Sequence, residues 1–256
     1  MAKFWSVLVL PAFVCLAPAP AAGQEDDPLV TDRPDFTESA AVPGHGRVQV
    51  EGGWTVEESG DAREHSLGEI LVRIGLGKRF EARIEPGSWV AAEDGEAEVS
   101  GLDDAGLGVK ILLLEEVPPA RPALALLLSS SVPTGDDEIG STEWHPEARL
   151  ALGWTLSDVW SLGANAGWAR AADESESFDL ALGSVAVGRS LGERLGMFLE
   201  LYGFAPSAPG EDDALVFDGG LTLGFGPDAQ LDVRAGAGLT DVAPDWLFGL
   251  GFARRW

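Results

Sequence analysis

Asp32-Arg33-Pro34-Asp35, followed at a short distance by Glu38, sets charges of alternating sign around a proline. Proline fixes its own φ and disfavours helix for the residue before it, so the segment reads as short and extended, with charges available to a surrounding wall. Asp32, Arg33, Asp35 and Glu38 are therefore candidates for a plug or constriction; the alternative is an anchor for whatever strand follows. Other reactive side chains are sparse. The histidines are His45, His65 and His145; Asp61 precedes His65-Ser66, and Ser141 and Glu143 precede His145. Hydroxyl, imidazole and carboxylate are the parts of a hydrolytic triad, but nearness in sequence does not supply its geometry. No Gly-x-Ser-x-Gly elbow and no His-Glu-x-x-His zinc pattern occurs, so no catalytic residue is assigned. Cys15 is the single cysteine, which excludes an internal disulfide and cysteine-rich zinc sites. Several acidic runs carry oxygen ligands that suit Ca²⁺, yet none has the EF-hand order of ligands and glycine, so neither metal nor cofactor is expected.

These residues need elements to hold them. The chain opens with an export-signal pattern: Lys3, an apolar stretch from Phe4 to Leu16, and small residues from Ala19 to Gly23. Residues 1–23 are read as a cleaved signal, 24–46 as a periplasmic or plug-like segment, and 47–256 as one structural unit. Its dominant signal is period-2 alternation. Val48, Val50, Trp54 and Val56 alternate with Gln49, Glu51, Thr55 and Glu57; Ile70, Val72 and Ile74 alternate with Glu69 and Arg73; Phe80, Ala82 and Ile84 alternate with Glu81, Arg83 and Glu85. Comparable runs continue to the final Trp256, giving about twelve strands of a length that suits tilted strands crossing a bilayer.

A soluble sandwich also alternates, with its apolar faces turned inward. The polar faces here are rich in glycine and opposite charges, lysine is scarce, and acidic runs separate successive strand pairs. That combination favours an all-β, up-and-down antiparallel transmembrane barrel in the bacterial outer membrane, with acidic loops on one rim and tight turns on the other. Glu57–Glu64, Glu93–Glu98, Asp136–Glu143, Asp173–Glu176 and Glu211–Asp213 are read as the long loops. Candidates for the lumen wall are Glu51, Arg73, Glu81, Arg83, Asp104, Lys110, Arg149, Asn165, Asp179, Glu200, Asp218, Gln230, Asp232 and Arg234. These either pair across strands or form a selectivity lining. With 17 Lys+Arg against 42 Asp+Glu, a net charge of −25, nucleic acid is a poor partner. The expected surroundings are outer-membrane lipid and lipopolysaccharide, with Trp54, Trp89, Trp154, Trp160 and Trp168 as interface anchors.

Thr31-Asp32-Arg33-Pro34-Asp35-Phe36-Thr37-Glu38-Ser39, then Val42-Pro43 and Gly46 to Gly52, resembles the opening of the transporter family named for the MetA (meta) pathway of phenol degradation. Leu71 to Leu76, Gly101 to Lys110, Val132-Pro133-Thr134-Gly135, Gln230-Leu231-Asp232 and Ala243-Pro244-Asp245 extend the similarity; Gly238-Leu239-Thr240 departs from an expected Gly-Leu-Asn. The resemblance implies an outer-membrane channel of about twelve strands. It also implies uptake of small aromatic or hydrophobic solutes by passive diffusion; separately, the aromatic C-terminal Trp256 is similar to the ending of bacterial outer-membrane barrels, which the barrel-assembly machinery recognises. The alternatives are a structural barrel without transport and an outer-membrane hydrolase.

Overall fold

The computed structural model describes residues 29–172, 177–207 and 212–256. The signal-peptide reading, the acidic run 173–176 and Glu211 fall outside them. Fourteen strands follow in chain order: β1 (Val48–Ser59), β2 (Ala62–Gly75), β3 (Phe80–Glu85), β4 (Trp89–Asp94), β5 (Ala97–Leu102), β6 (Ala105–Leu114) and β7 (Ala123–Val132), then β8 (His145–Thr155), β9 (Trp160–Ala172), β10 (Ser177–Ser190), β11 (Leu195–Pro206), β12 (Ala214–Gly224), β13 (Ala229–Gly238) and β14 (Trp246–Arg255). β3 with β4, and β5 with β6, each follow one another along a single place in the wall. The wall is thus twelve strands around, every neighbour antiparallel, and it closes where β1 pairs with β14 from Gln49↔Arg255 to Glu58↔Trp246. Closure leaves no edge of the barrel unpaired, which a bilayer demands.

The alternation turns this sheet inside out relative to a soluble protein. Leu199, Leu231 and Leu250 stand half-exposed on the outer face, and so do Leu67, Leu107 and Phe217, whereas Glu51, Arg73, Glu81, Lys110, Glu200 and Asp218 are at most 1% exposed on the inner one. An apolar belt of that extent is unfavourable in water and favourable against acyl chains. Trp54 is on this outer face, stacked on His65, while Trp89, Trp160 and Trp168 are exposed around it. His65 and Ser66 therefore point to opposite sides of the wall, and the first imagined triad does not assemble.

One local feature resets the alternation. Glu51 pairs with Leu71 but Gly53 with Gly68, so β2 carries an extra residue opposite β1. Gly68 and Glu69 take the positive φ values, 102° and 43°, that such a bulge uses. Beyond the bulge Arg73 faces inward; before it Ser66 and Glu64 do. Beside it, β2 pairs with β4 up to Leu67↔Trp89 and with β3 from Val72↔Ile84, which leaves residues 68–71 and 85–88 outside the ladder. Pro86 has no N–H to give it, and Gly87 sits at φ 91°.

The connections differ in part from the expected pattern. Glu57–Glu64 is no long loop, because β1 runs to Ser59 and β2 begins at Ala62; Glu93–Glu98 likewise spans the end of β4, Gly95-Glu96 and the start of β5. The acids belong to strands that continue past the membrane, where Glu58 pairs with Arg63 across the hairpin. On the rim where β1 begins and β14 ends, the turns at 76–79, 156–159, 191–194 and 225–228 are short, but residues 115–122 form a longer link with a bridge from Val117 to Arg121.

Candidate functional site: the lumen and its N-terminal segment

Residues 29–46 do not lie outside the barrel. They enter the lumen at the rim with the short turns, cross to the far wall and return to β1 at the same rim. Two hydrogen bonds to the Asp32 carboxylate close the loop on itself, from the Ser39 N–H (2.9 Å) and the Ser39 hydroxyl (2.6 Å).

The near wall holds this loop with charge. Asp32 meets Arg83 at 2.6 Å, Lys110 at 2.8 Å and Arg73 at 3.3 Å. Both Glu38 carboxylate oxygens accept from a single Arg83 nitrogen, Nη2, each at 2.9 Å. Register explains why these basic groups need the segment. Arg73 is directly opposite Arg83, and Glu81 opposite Lys110. Two guanidinium groups side by side repel one another, and the wall supplies Glu81 and Glu51 against three cations. Asp32 completes the set. Arg73 also donates to the carbonyls of Val30 (3.1 Å) and Ala41 (2.8 Å), tying the outgoing and returning limbs together.

Two carboxylates grip the loop's backbone in the same manner from separate parts of the wall. Glu51 accepts the N–H groups of Asp32 and Arg33 at 2.9 and 3.0 Å. Glu200 accepts those of Phe36 and Thr37, each at 2.7 Å, and also the Thr37 hydroxyl. Asn165 accepts the Glu38 N–H (2.8 Å) and donates to the Glu38 carbonyl (3.0 Å), while Arg149 donates to the Phe36 carbonyl (3.2 Å). Charge-assisted bonds of this kind are about twice as strong as neutral ones. Arg33 reaches Glu69 at 2.9 Å and approaches Asp232 at 3.7 Å; Gln230 donates to the Thr31 hydroxyl at 3.2 Å. Asp218 stands opposite Glu200 with Arg234 at 3.9 Å. Asp35 makes no comparable bond and lines a cavity instead.

That cavity, of about 640 Å³, lies on the short-turn side and is bordered by Val30, Pro34, Thr37, Ala40, Glu116 and Phe198. A second, of about 760 Å³, opens on the other side among Glu85, Ser129, Ser131, His145, Glu147 and Arg170. None of residues 29–42 borders the second. The loop thus lies between two wide vestibules.

Two wall candidates lie away from this contact. Asp104 occupies the break between β5 and β6, where the N–H groups of Thr134, Gly135 and Ser141 bond its carboxylate at 2.8–2.9 Å. Burial works to raise its proton affinity, and these three donors outweigh it and hold the carboxyl below its usual range. Asp179 pairs with Arg170 in the open, at the loop end. Ser141 and His145 do meet, Oγ to Nε2 at 3.3 Å, but this hydroxyl also accepts the Glu143 N–H within the loop after β7. Sequence reasoning overlooked Gln49, Glu69 and Phe36. Gln49 shared its parity with Glu51, and Glu69 shared its parity with Arg73, so the alternation held the signal for both.

Gly75 marks where the returning limb passes closest to the wall. A Cβ there would collide with the carbonyl oxygens of Pro43 and Gly44. Gly75→Ala is expected to displace that limb without opening the barrel. Cleavage after Glu38 by a glutamate-specific protease should then rise severalfold while the unheated protein still migrates as a folded barrel; unchanged cleavage would show that the limb absorbs the methyl group.

Inside-out alternation, closure and a polar lumen define an outer-membrane-type β-barrel. The chain belongs to the family described as "Putative MetA-pathway of phenol degradation", whose model matches residues 31–256. Among solved structures it is similar to an outer-membrane channel from Pseudomonas putida F1, at 13% identity and TM-score 0.64, covering 89% of this chain and 100% of that one. The NanC porin follows at 11% identity, TM-score 0.55 and coverage of 81% and 98%. The KdgM porin gives 8% identity, TM-score 0.53 and coverage of 80% and 98%. At these identities the likeness is one of fold. No curated protein matches the chain.

Proposed function

We propose that this chain is a passive outer-membrane channel for small solutes, with residues 29–46 as the constriction that sets its resting conductance. The observation that carries the reading is the lumen itself: two vestibules of about 640 and 760 Å³ with a charged loop seated between them. A barrel built only for support has no need of such volumes. The family description and the channels and porins that share the fold support the same reading, and the former favours small aromatic or otherwise hydrophobic solutes. The chain acts without cofactor, metal or catalytic step. Lipid and lipopolysaccharide surround the belt, and Trp256, whose backbone pairs with Val48 at the closing seam, is the residue offered to the assembly machinery.

The test is single-channel recording of the refolded protein in a planar bilayer. Discrete steps are expected, with a reversal potential favouring cations, because carboxylates outnumber cations along the path and at the mouth. A folded, inserted barrel that stays silent even when residues 29–42 are deleted would leave the structural-barrel reading in its place.

A further inference from the structure

The loop's tip is held by an aromatic seat rather than by ion pairs alone. Phe36 stacks on Tyr202, ring centroids 4.7 Å apart and planes 16° apart, and meets Phe204 edge-on at 5.2 Å and 79°. The Arg149 guanidinium carbon lies 4.6 Å from the same ring centroid. Val216, Ala243 and Leu247 pack beside Tyr202, all three buried. This is the one cluster of buried hydrophobic side chains packed together in the described core; other inward apolar residues, such as Leu127 and Phe198, are separate from it. It is also directional. Ala243 lies in the link before β14, and Leu247 and Ala214 begin their strands at the loop end, so the apolar surface runs from the outer mouth inward to the tip.

Stacked, edge-on and cation–π contacts around one ring add to the area it buries, each by about 0.5–1.5 kcal/mol. The barrel contributes all of these partners, and the loop contributes only the ring. We propose that Tyr202, Phe204, Leu247 and Arg149 form a binding site for a monocyclic aromatic solute, which competes with Phe36 for its seat. The inference rests on the channel reading and adds to it the place where a solute is recognised and how it loosens the constriction. Loss of the seat loosens the tip at residues 35–37, which is then held by the hydrogen bonds of Glu200 and Arg149 to Phe36 and Thr37. Asp32 stays bonded to Arg83 and Lys110, so the loop swings at its tip and remains in the lumen.

Benzyl alcohol is a suitable probe, with cyclohexylmethanol as the control of similar shape that lacks a π face. In single-channel recordings of the full chain, benzyl alcohol is expected to raise open probability saturably, by roughly two- to tenfold, the range that one stacking contact supports. Cyclohexylmethanol should leave it near baseline. Tyr202→Leu keeps an apolar side chain and should abolish the response, and Phe36→Ala should conduct constitutively and ignore the probe. An equal response to both alcohols, or an undiminished one in Tyr202→Leu, overturns the site. If Phe36→Ala conducts while the parent ignores benzyl alcohol, the site alone fails. If Phe36→Ala and the barrel lacking residues 29–42 both fold and carry no current, the channel reading fails and the site with it.

Discussion

Asp32→Asn is expected to raise single-channel conductance severalfold and to leave the barrel folded. The substitution keeps the shape of the side chain and removes the charge on which three buried cations converge, Arg83, Lys110 and Arg73. Breaking a buried ion pair by removing one partner costs about 3–5 kcal/mol, most of it from the charges left behind. Here those charges belong to the wall, and water can reach them only if the loop leaves its seat. A shift of that size changes the ratio of seated to withdrawn loop by roughly a hundred- to several thousandfold. The loop residues Asp32, Arg33, Asp35 and Glu38 carry more negative than positive charge, so withdrawal also moves ion selectivity toward anions. Conductance and reversal potential that match the parent would exclude the loop as the constriction.

Arg73→Met is expected to have a larger and broader effect. This guanidinium is fully buried and bonds Glu51 and both oxygens of Glu81, each at 3.0 Å, besides the two loop carbonyls. Methionine fills comparable space with no donor, leaving two carboxylates short of a partner and the limbs of the loop untied. A loss of about 3–5 kcal/mol should reach the barrel as well as the loop, since Glu51 and Glu81 belong to the wall. The conversion of the fast-migrating folded band to the unfolded one should occur at a lower temperature or urea concentration. Arg73→Lys should recover only part of it, because a single ammonium cannot span acceptors that a planar fork reaches. Full recovery by lysine would mean that charge alone, and not the fork, carries the contact.

Much of this molecule could be read from alternation. The inward parity of Glu51, Glu81, Arg83, Lys110, Glu200 and Asp218 follows from strict period-2 runs, because a wall with lipid on one side cannot tolerate a slipped register. The charge pattern around Pro34 pointed to a segment needing partners, and the partners are the wall residues of those same runs. What escaped the sequence has local physical causes. The bulge at Gly68-Glu69 changes the parity of β2 midway, so the inward side of residues 62–68 was not apparent. Acidic runs at 57–64 and 93–98 looked like loops because acids are depleted in ordinary strands, whereas these strands continue into water beyond the membrane. Asp104 alternated correctly with its neighbours and yet sits at a strand break, where backbone donors capture it. The seat of Phe36 could not be read at all: its partners lie on β8, β11 and β14, and only closure of the barrel brings them together.

Val30 and Ala41 share a single arginine, so the two limbs of the N-terminal loop stand side by side. Residues 29–46 enter and leave the lumen by one opening and do not pass through to the other. In topological terms the loop is laid in and not threaded, like a bight of rope pushed into a pipe. It can be withdrawn and reseated without parting β1 from β14. Closure of the wall and occupation of its interior are therefore separable events. A barrel could be completed empty and filled afterwards, and each filling would be reversible by local opening, on a microsecond-to-second timescale, without refolding of the wall.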